Sequence, residues 1–155
     1  MKGNEQILQT LNDELADELT AVNQYIVHSE MCANWGLDKL HTAIEKRAIE
    51  EMKHAEMLIA RILYLEGRPV VSKLNPMHIG ADVAEQLHND YLSEQGAVKS
   101  YNAAVQQAAS LGDNGTRALF ESILNDEEAH IDWLEAQLDQ IRLMGIENYL
   151  AQQVG

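Results

Sequence analysis

The 155-residue chain has little with which to staple, kink or stack itself. It holds a single cysteine, Cys32, so no disulfide can form within it, which fits a reducing compartment. Two prolines and nine glycines leave long stretches free to run as helix. Aromatic residues make up only 5%, which argues against a β-sandwich or barrel. No apolar run approaches the roughly 18 residues of a membrane span, and Met1 to Leu11 lacks a basic-then-apolar leader. The expectation is a soluble cytoplasmic protein. Basic residues are scarce too, 11 against 25 acidic, for a formal charge of −14. That balance repels nucleic acid and anionic lipid and draws in cations, so no nucleic-acid or membrane partner is expected.

What is present is Ala, Leu, Glu and Gln, with apolar residues recurring at the helical period. A first segment runs from about Asn4 to Asn34 with Leu8, Leu11, Leu15, Val22 and Ile26 on one stripe. Asp38, after Gly36, reads as the N-cap of a second, which carries Ile44, Ala48, Ala55, Leu58, Ile62 and Leu65 and stops at Gly67-Arg68-Pro69. Arg68 to Ala81 holds both prolines and no helical period, so it reads as a connection. Asp82 with Glu85 resembles a capping box opening the third segment, which ends near Gly112. The fourth starts between Asp113 and Thr116 and is broken by Gly145, leaving Ile146 to Gln153 for a short fifth helix. Short turns inside each pair and a long connection between pairs predict an all-α single domain over 1–155. It is a four-helix bundle of two antiparallel hairpins with one long crossover.

Each long segment places an acidic residue inside its apolar stripe, where desolvation disfavours one. These are Glu18, Glu51, Glu94 and Glu127. Two of them are followed three residues later by histidine: Glu51-Met52-Lys53-His54 and Glu127-Glu128-Ala129-His130. On a helix, positions i and i+3 share a face, so each pair can reach one point in the core. The spacing repeats: Glu18 to Glu94, Glu51 to Glu127, His54 to His130 and Tyr25 to Tyr101 are all 76 residues apart. The chain thus reads as two hairpins, each supplying Glu plus Glu-x-x-His, about an approximate two-fold axis. Four buried carboxylates without cations would repel one another in a low dielectric, whereas two divalent ions balance them. Carboxylates with one imidazole each suit iron or manganese better than thiolate-bound structural zinc. Two such ions about 3.5–4 Å apart can share O2 or peroxide.

Several strings resemble one family across essentially the whole chain: Asn23-Gln24-Tyr25, Asn34-Trp35-Gly36-Leu37, Glu51-Met52-Lys53-His54-Ala55-Glu56, Asp126-Glu127-Glu128 with His130-Ile131-Asp132-Trp133, and Asn148-Tyr149-Leu150. In combination they are similar to the bacterioferritins, haem-binding members of the ferritin-like four-helix bundles. The resemblance implies ferroxidase activity at a di-iron site of Glu18, Glu51, His54, Glu94, Glu127 and His130, with Glu51 and Glu127 bridging. It implies a homo-oligomeric shell of twenty-four subunits that stores ferric mineral, using O2 or H2O2 as oxidant. It further implies haem b between two-fold-related subunits through Met52 of each, near Asn23 and Ile49, and a bacterioferritin-associated ferredoxin as electron donor. Tyr25 and Trp133 match positions that supply an electron when oxidant outruns iron. Tyr101 is expected to give a second hydrogen bond to the metal-bound carboxylates. One run departs from the family. Its best-studied members carry tyrosine, histidine and acidic residues around positions 45 to 50 as an inner-wall iron site, where this chain reads Glu45-Lys46-Arg47-Ala48-Ile49-Glu50. The positive charge of Lys46 and Arg47 argues against that site. His28, His41, His78 and His88 have no partner at ligand spacing and are expected at the surface. A rubrerythrin-like peroxidase is disfavoured by the lack of a rubredoxin-like module with four cysteines. A DNA-protecting mini-ferritin is disfavoured by the lack of a basic tail and by a ligand set complete within one chain.

Overall fold

The computed structural model describes residues 1–155 and contains five helices: α1 (Glu5–Asn34), α2 (Asp38–Tyr64), α3 (Val83–Ser110), α4 (Asn114–Met144) and α5 (Ile146–Ala151). α1 packs on α2 and α3 on α4, giving the two hairpins. No helix is long and apolar enough to cross a membrane.

Side-chain caps set three of the starts. Asn4 Oδ1 accepts from the Gln6 N–H at 2.7 Å, Asp82 Oδ1 from Glu85 N–H at 2.9 Å, and Asp113 Oδ1 from Thr116 N–H at 3.0 Å. Glu85 reaches back to the Ala81 N–H at 3.0 Å, close to the expected box. Asp38 is not the cap of α2. Leu37 holds that position with no side-chain bond, and Asp38 is the first helical residue. The reason lies in how α1 ends. Gly36, at φ +76°, and Leu37 close a left-handed turn, with Leu37 N–H donating to Cys32 C=O at 2.9 Å and Gly36 N–H to Ala33 C=O at 3.0 Å. Such a turn wants an apolar residue after the glycine, and Leu37 is buried there. The same pair of bonds recurs at Gly112 (φ +75°), from Asp113 to Ala108 at 2.9 Å and Gly112 to Ala109 at 3.1 Å. A third copy ends α2, where Glu66 takes the left-handed position at φ +61°. α5 stops at Ala151, two residues short of the sequence expectation, and buries Tyr149.

The core falls into two apolar clusters with a gap between them. One takes Ile7, Leu11 and Leu15 from α1, Leu58 and Ile62 from α2, Tyr101 from α3, and Phe120 and Ile123 from α4. The other takes Tyr25 and Cys32, Leu40 and Ile44, Leu87, and Leu134. Burying each such side chain contributes about 1.5–3 kcal/mol. Each long helix buries one glutamate outside both clusters in this gap: Glu18, Glu51, Glu94 and Glu127.

The crossover runs along α1 and is pinned by a ladder of its side chains. The Val70 N–H donates to Asn12 Oδ1 at 2.8 Å, Asn75 N–H to Thr20 Oγ1 at 2.8 Å, His78 N–H to Gln24 Oε1 at 3.0 Å, and Gly80 N–H to His28 Nε2 at 3.0 Å. His28 is therefore no surface residue: it is fully buried, while His78 and His88 are exposed and His41 half-buried. Because Nε2 of His28 accepts, its Nδ1 carries the proton and donates to Asp90 Oδ1 at 2.9 Å. Gly80 must be glycine, since a Cβ there would lie 2.4 Å from Gln86 N.

Candidate metal centre

The gap between the clusters gathers all six anticipated ligands. Glu18, Glu51, His54, Glu94, Glu127 and His130 are each at most 3% exposed. Their donor atoms form two groups in which all atoms lie within 4.8 Å of one another: Glu18, Glu51, His54 and Glu127 in one, and Glu51, Glu94, Glu127 and His130 in the other. Glu51 and Glu127 belong to both. The helical register explains the layout. α2 and α4 each present a Glu and a His three residues apart on one inward face, while α1 and α3 contribute one carboxylate apiece.

Two acidic residues orient the imidazoles from behind. The Asp126 carboxylate lies 2.8 Å from His54 Nε2, and Glu50 lies against His130 Nε2. Both rings thereby turn Nδ1 inward, the arrangement in which an outer carboxylate fixes the tautomer of a ligating histidine. His54 Nδ1 stands 2.9 Å from Glu127, and His130 Nδ1 2.9 Å from Glu51, yet neither makes a directed hydrogen bond. The buried polar atoms without a partner are Nδ1 of both histidines, oxygens of Glu18, Glu51, Glu94 and Glu127, and Oε2 of Glu14. Unpaired buried polar atoms are costly, and a set converging on one point is what divalent cations would satisfy.

The electrostatics agree. Burial, then the charges of neighbouring carboxylates, raises Glu51 and Glu94 well above the ordinary carboxylate range. Burial also raises Glu127, but Glu94 and the two imidazoles outweigh it and hold Glu127 low. For His54 and His130 burial opposes the charged form, and the surrounding carboxylates overcome it and push both rings up.

Two phenols lean on the centre. Tyr25 O–H donates to Glu94 Oε1, and Tyr101 O–H donates to Glu18 Oε1 at 2.6 Å. A cavity of about 480 Å³ opens onto the carboxylates between α1 and α3, lined by Asp17, Glu18, His78, Glu94 and Tyr101 among others. On the α2–α4 side the Arg47 guanidinium lies 5.5 Å over the Trp133 ring and pairs with Glu50 at 3.2 Å. Met52, with Ile49, stands on the outer face of α2, both more than 40% exposed, and Asn23 is exposed on α1.

Sequence reasoning passed over Asp126, Glu50 and Glu14. The first two lie in acidic runs that look like solvated surface. Glu14, one turn before Glu18 on the same stripe, was visible from its phase. His41 comes near Glu30 and Glu45 across the α1–α2 turn, on the surface, a grouping that spacing along the chain does not reveal.

The ferritin-like domain family model matches residues 8–144. The chain is 41% identical over 149 residues to a bacterioferritin of Rhodobacter capsulatus, covering 96% of this chain and 92% of the relative. A Brucella melitensis bacterioferritin is 42% identical over 149 residues, with the same coverage. One from Mycolicibacterium paratuberculosis is 40% identical over 152 residues, 98% of this chain and 96% of the relative.

Proposed function

We propose that this chain, which belongs to the ferritin-like family and within it to the bacterioferritins, is an iron-storage subunit that oxidises ferrous iron at the six-residue centre. The observation that carries this reading is the pair of four-residue ligand groups sharing Glu51 and Glu127. Two ferrous ions are the substrates. Glu18 with His54 holds one, Glu94 with His130 the other, and the shared carboxylates bridge them. Each ion gives up one electron, so the pair matches a two-electron oxidant: either O2, reduced to H2O2, or H2O2, reduced to water. The cavity between α1 and α3 offers the approach, and its lining carboxylates attract cations. Tyr25, hydrogen-bonded to Glu94 and sharing a small cavity with Trp133, would supply an electron when iron runs short.

The ferric product collects in a hollow cytoplasmic shell of twenty-four copies. Haem b would be held between paired copies, where it would relay electrons from a ferredoxin for iron release. Met52 fits that role here: the residue is 44% exposed beside the equally open Ile49, and its thioether is a soft ligand. One chain would offer one such sulfur to hold the haem and the paired copy would offer the other. The positive charge of Lys46 and of Arg47, which pairs with Glu50 at 3.2 Å, disfavours a separate ferrous site on the inner wall.

The test is ferrous oxidation by wild type and Glu127→Ala, with an absorption spectrum of each. The expected outcome is a low-spin haem band in both and oxidation at least about 100-fold slower in the variant, since even outer-shell changes cost 10–100-fold. Met52→Leu should lose the haem band and keep oxidation. Unchanged oxidation in Glu127→Ala would sink the reading.

A further inference from the structure

Glu18 and Glu94 are the two carboxylates that are not shared between the ion groups, and each carries a phenol. The bonds cross: Tyr25 on α1 serves the ligand from α3, and Tyr101 on α3 serves the ligand from α1. Both rings are essentially inaccessible to water, at 2% and 1% exposure. Each of the two ion positions is thus backed by the same unit of one imidazole, one terminal carboxylate and one phenol.

A phenol gives up an electron readily only when its proton leaves at the same time, which requires an acceptor already in place. Glu18 Oε1, 2.6 Å from the Tyr101 oxygen, is such an acceptor, as Glu94 is for Tyr25. The surroundings differ. Tyr25 shares a small cavity with Trp133, whereas Tyr101 packs against Phe120 at 6.0 Å, inside the apolar cluster of Leu11, Leu15 and Ile123. Phenylalanine is not oxidised at potentials that oxidise tyrosine, so an electron lost from Tyr101 is replaced only through the metal centre. A ring needed for packing alone would not require its hydroxyl to face a ligand.

We infer that Tyr101 is a second one-electron donor, paired with Tyr25, so that one centre reduces O2 fully to water. The inference rests on the ferroxidase reading above. Full reduction takes four electrons and four protons. Two ferrous ions provide two electrons; Tyr25 and Tyr101 each provide one electron and one proton, and solvent provides two protons. The products are two ferric ions, two neutral tyrosyl radicals and two waters. Two further ferrous ions, with two protons from solvent, return both radicals to tyrosine. Peroxide is then not released.

The experiment mixes the ferrous-loaded protein with O2, freezes it within milliseconds and counts radical spins by electron paramagnetic resonance. Wild type, Tyr25→Phe, Tyr101→Phe and the double variant are compared, and peroxide released per O2 is measured in parallel. Ring-deuterated tyrosine, which changes the hyperfine splitting, separates tyrosyl from Trp133 signals. Calorimetric zinc binding, which needs no redox chemistry, reports whether each variant keeps its ligand set. Each single variant is expected to keep about half the wild-type tyrosyl spins and to release peroxide, and the double variant to have none and release the most. The inference is overturned if Tyr25→Phe removes the whole signal while Tyr101→Phe matches wild type in spins and peroxide. Iron oxidation that is absent from wild type, or indifferent to Glu127→Ala, would fell the underlying reading instead.

Discussion

Glu14 is a buried carboxylate that no ligand role explains. Its Oε1 accepts from Ser100 Oγ, its Oε2 has no partner, and it is 2% exposed. Burial raises its pKa from 4.5 to about 8, against the Ser100 bond and with help from the charges of Asp17 and Glu18. Between those values the folded chain holds a proton that the unfolded chain has shed, so stability falls as pH rises through the window. Each pH unit within it costs up to about 1.4 kcal/mol. Glu14→Gln keeps the shape and removes the titration. Thermal unfolding of the metal-free protein should show the variant equal to wild type near pH 5 and more stable by several degrees at pH 9. Equal melting temperatures at both pH values would show that Glu14 is solvated. At this scale the buried cluster of six candidate ligands was legible because each repeats a helical phase and a 76-residue offset. The Gln24–His28–Asp90 network was not, because its partners lie 62 and 66 residues apart and meet only once the crossover has taken its path.

The helix ends carry a second kind of signal. Gly36 and Gly112 fill left-handed positions that chirality makes expensive for other residues, and both announced their turns. Glu66 occupies the third such position, and no local pattern marks a glutamate as a left-handed cap. Its exposed carboxylate pairs with the chain's N-terminus at 3.2 Å, a surface contact of small value. Glu66→Gly should relieve the strain at some entropic cost in the unfolded state, for a net gain of about 0.5–1 kcal/mol. Denaturant unfolding would register it as a higher midpoint at an unchanged slope; a lower midpoint would mean the N-terminal pair outweighs the backbone. Asp38 was misplaced as a cap for a related reason: local propensity favoured it, and the turn's demand for buried Leu37 took precedence.

At the scale of the whole chain, apolar surface left open points to further copies. Ile26 and Val27 on α1 and Trp35 just after it are 40–47% exposed, and Leu143 near the end of α4 is 72% exposed. Light scattering should find a particle many times the 17.4 kDa chain, and Ile26→Glu should yield a smaller species with unchanged helicity. A monomeric wild type would contradict the shell. Composition could not locate these contacts, since an apolar residue at an interface and one in a core look alike in sequence. The sharing of Glu51 and Glu127 between the two ion groups has a consequence of its own. On the ferroxidase reading proposed above, seating either ion would arrange half of the ligands its neighbour needs, which favours paired loading. Singly loaded centres would then be scarce. A lone ferrous ion can pass O2 only one electron, making superoxide, and the shared carboxylates would keep that reactant in short supply.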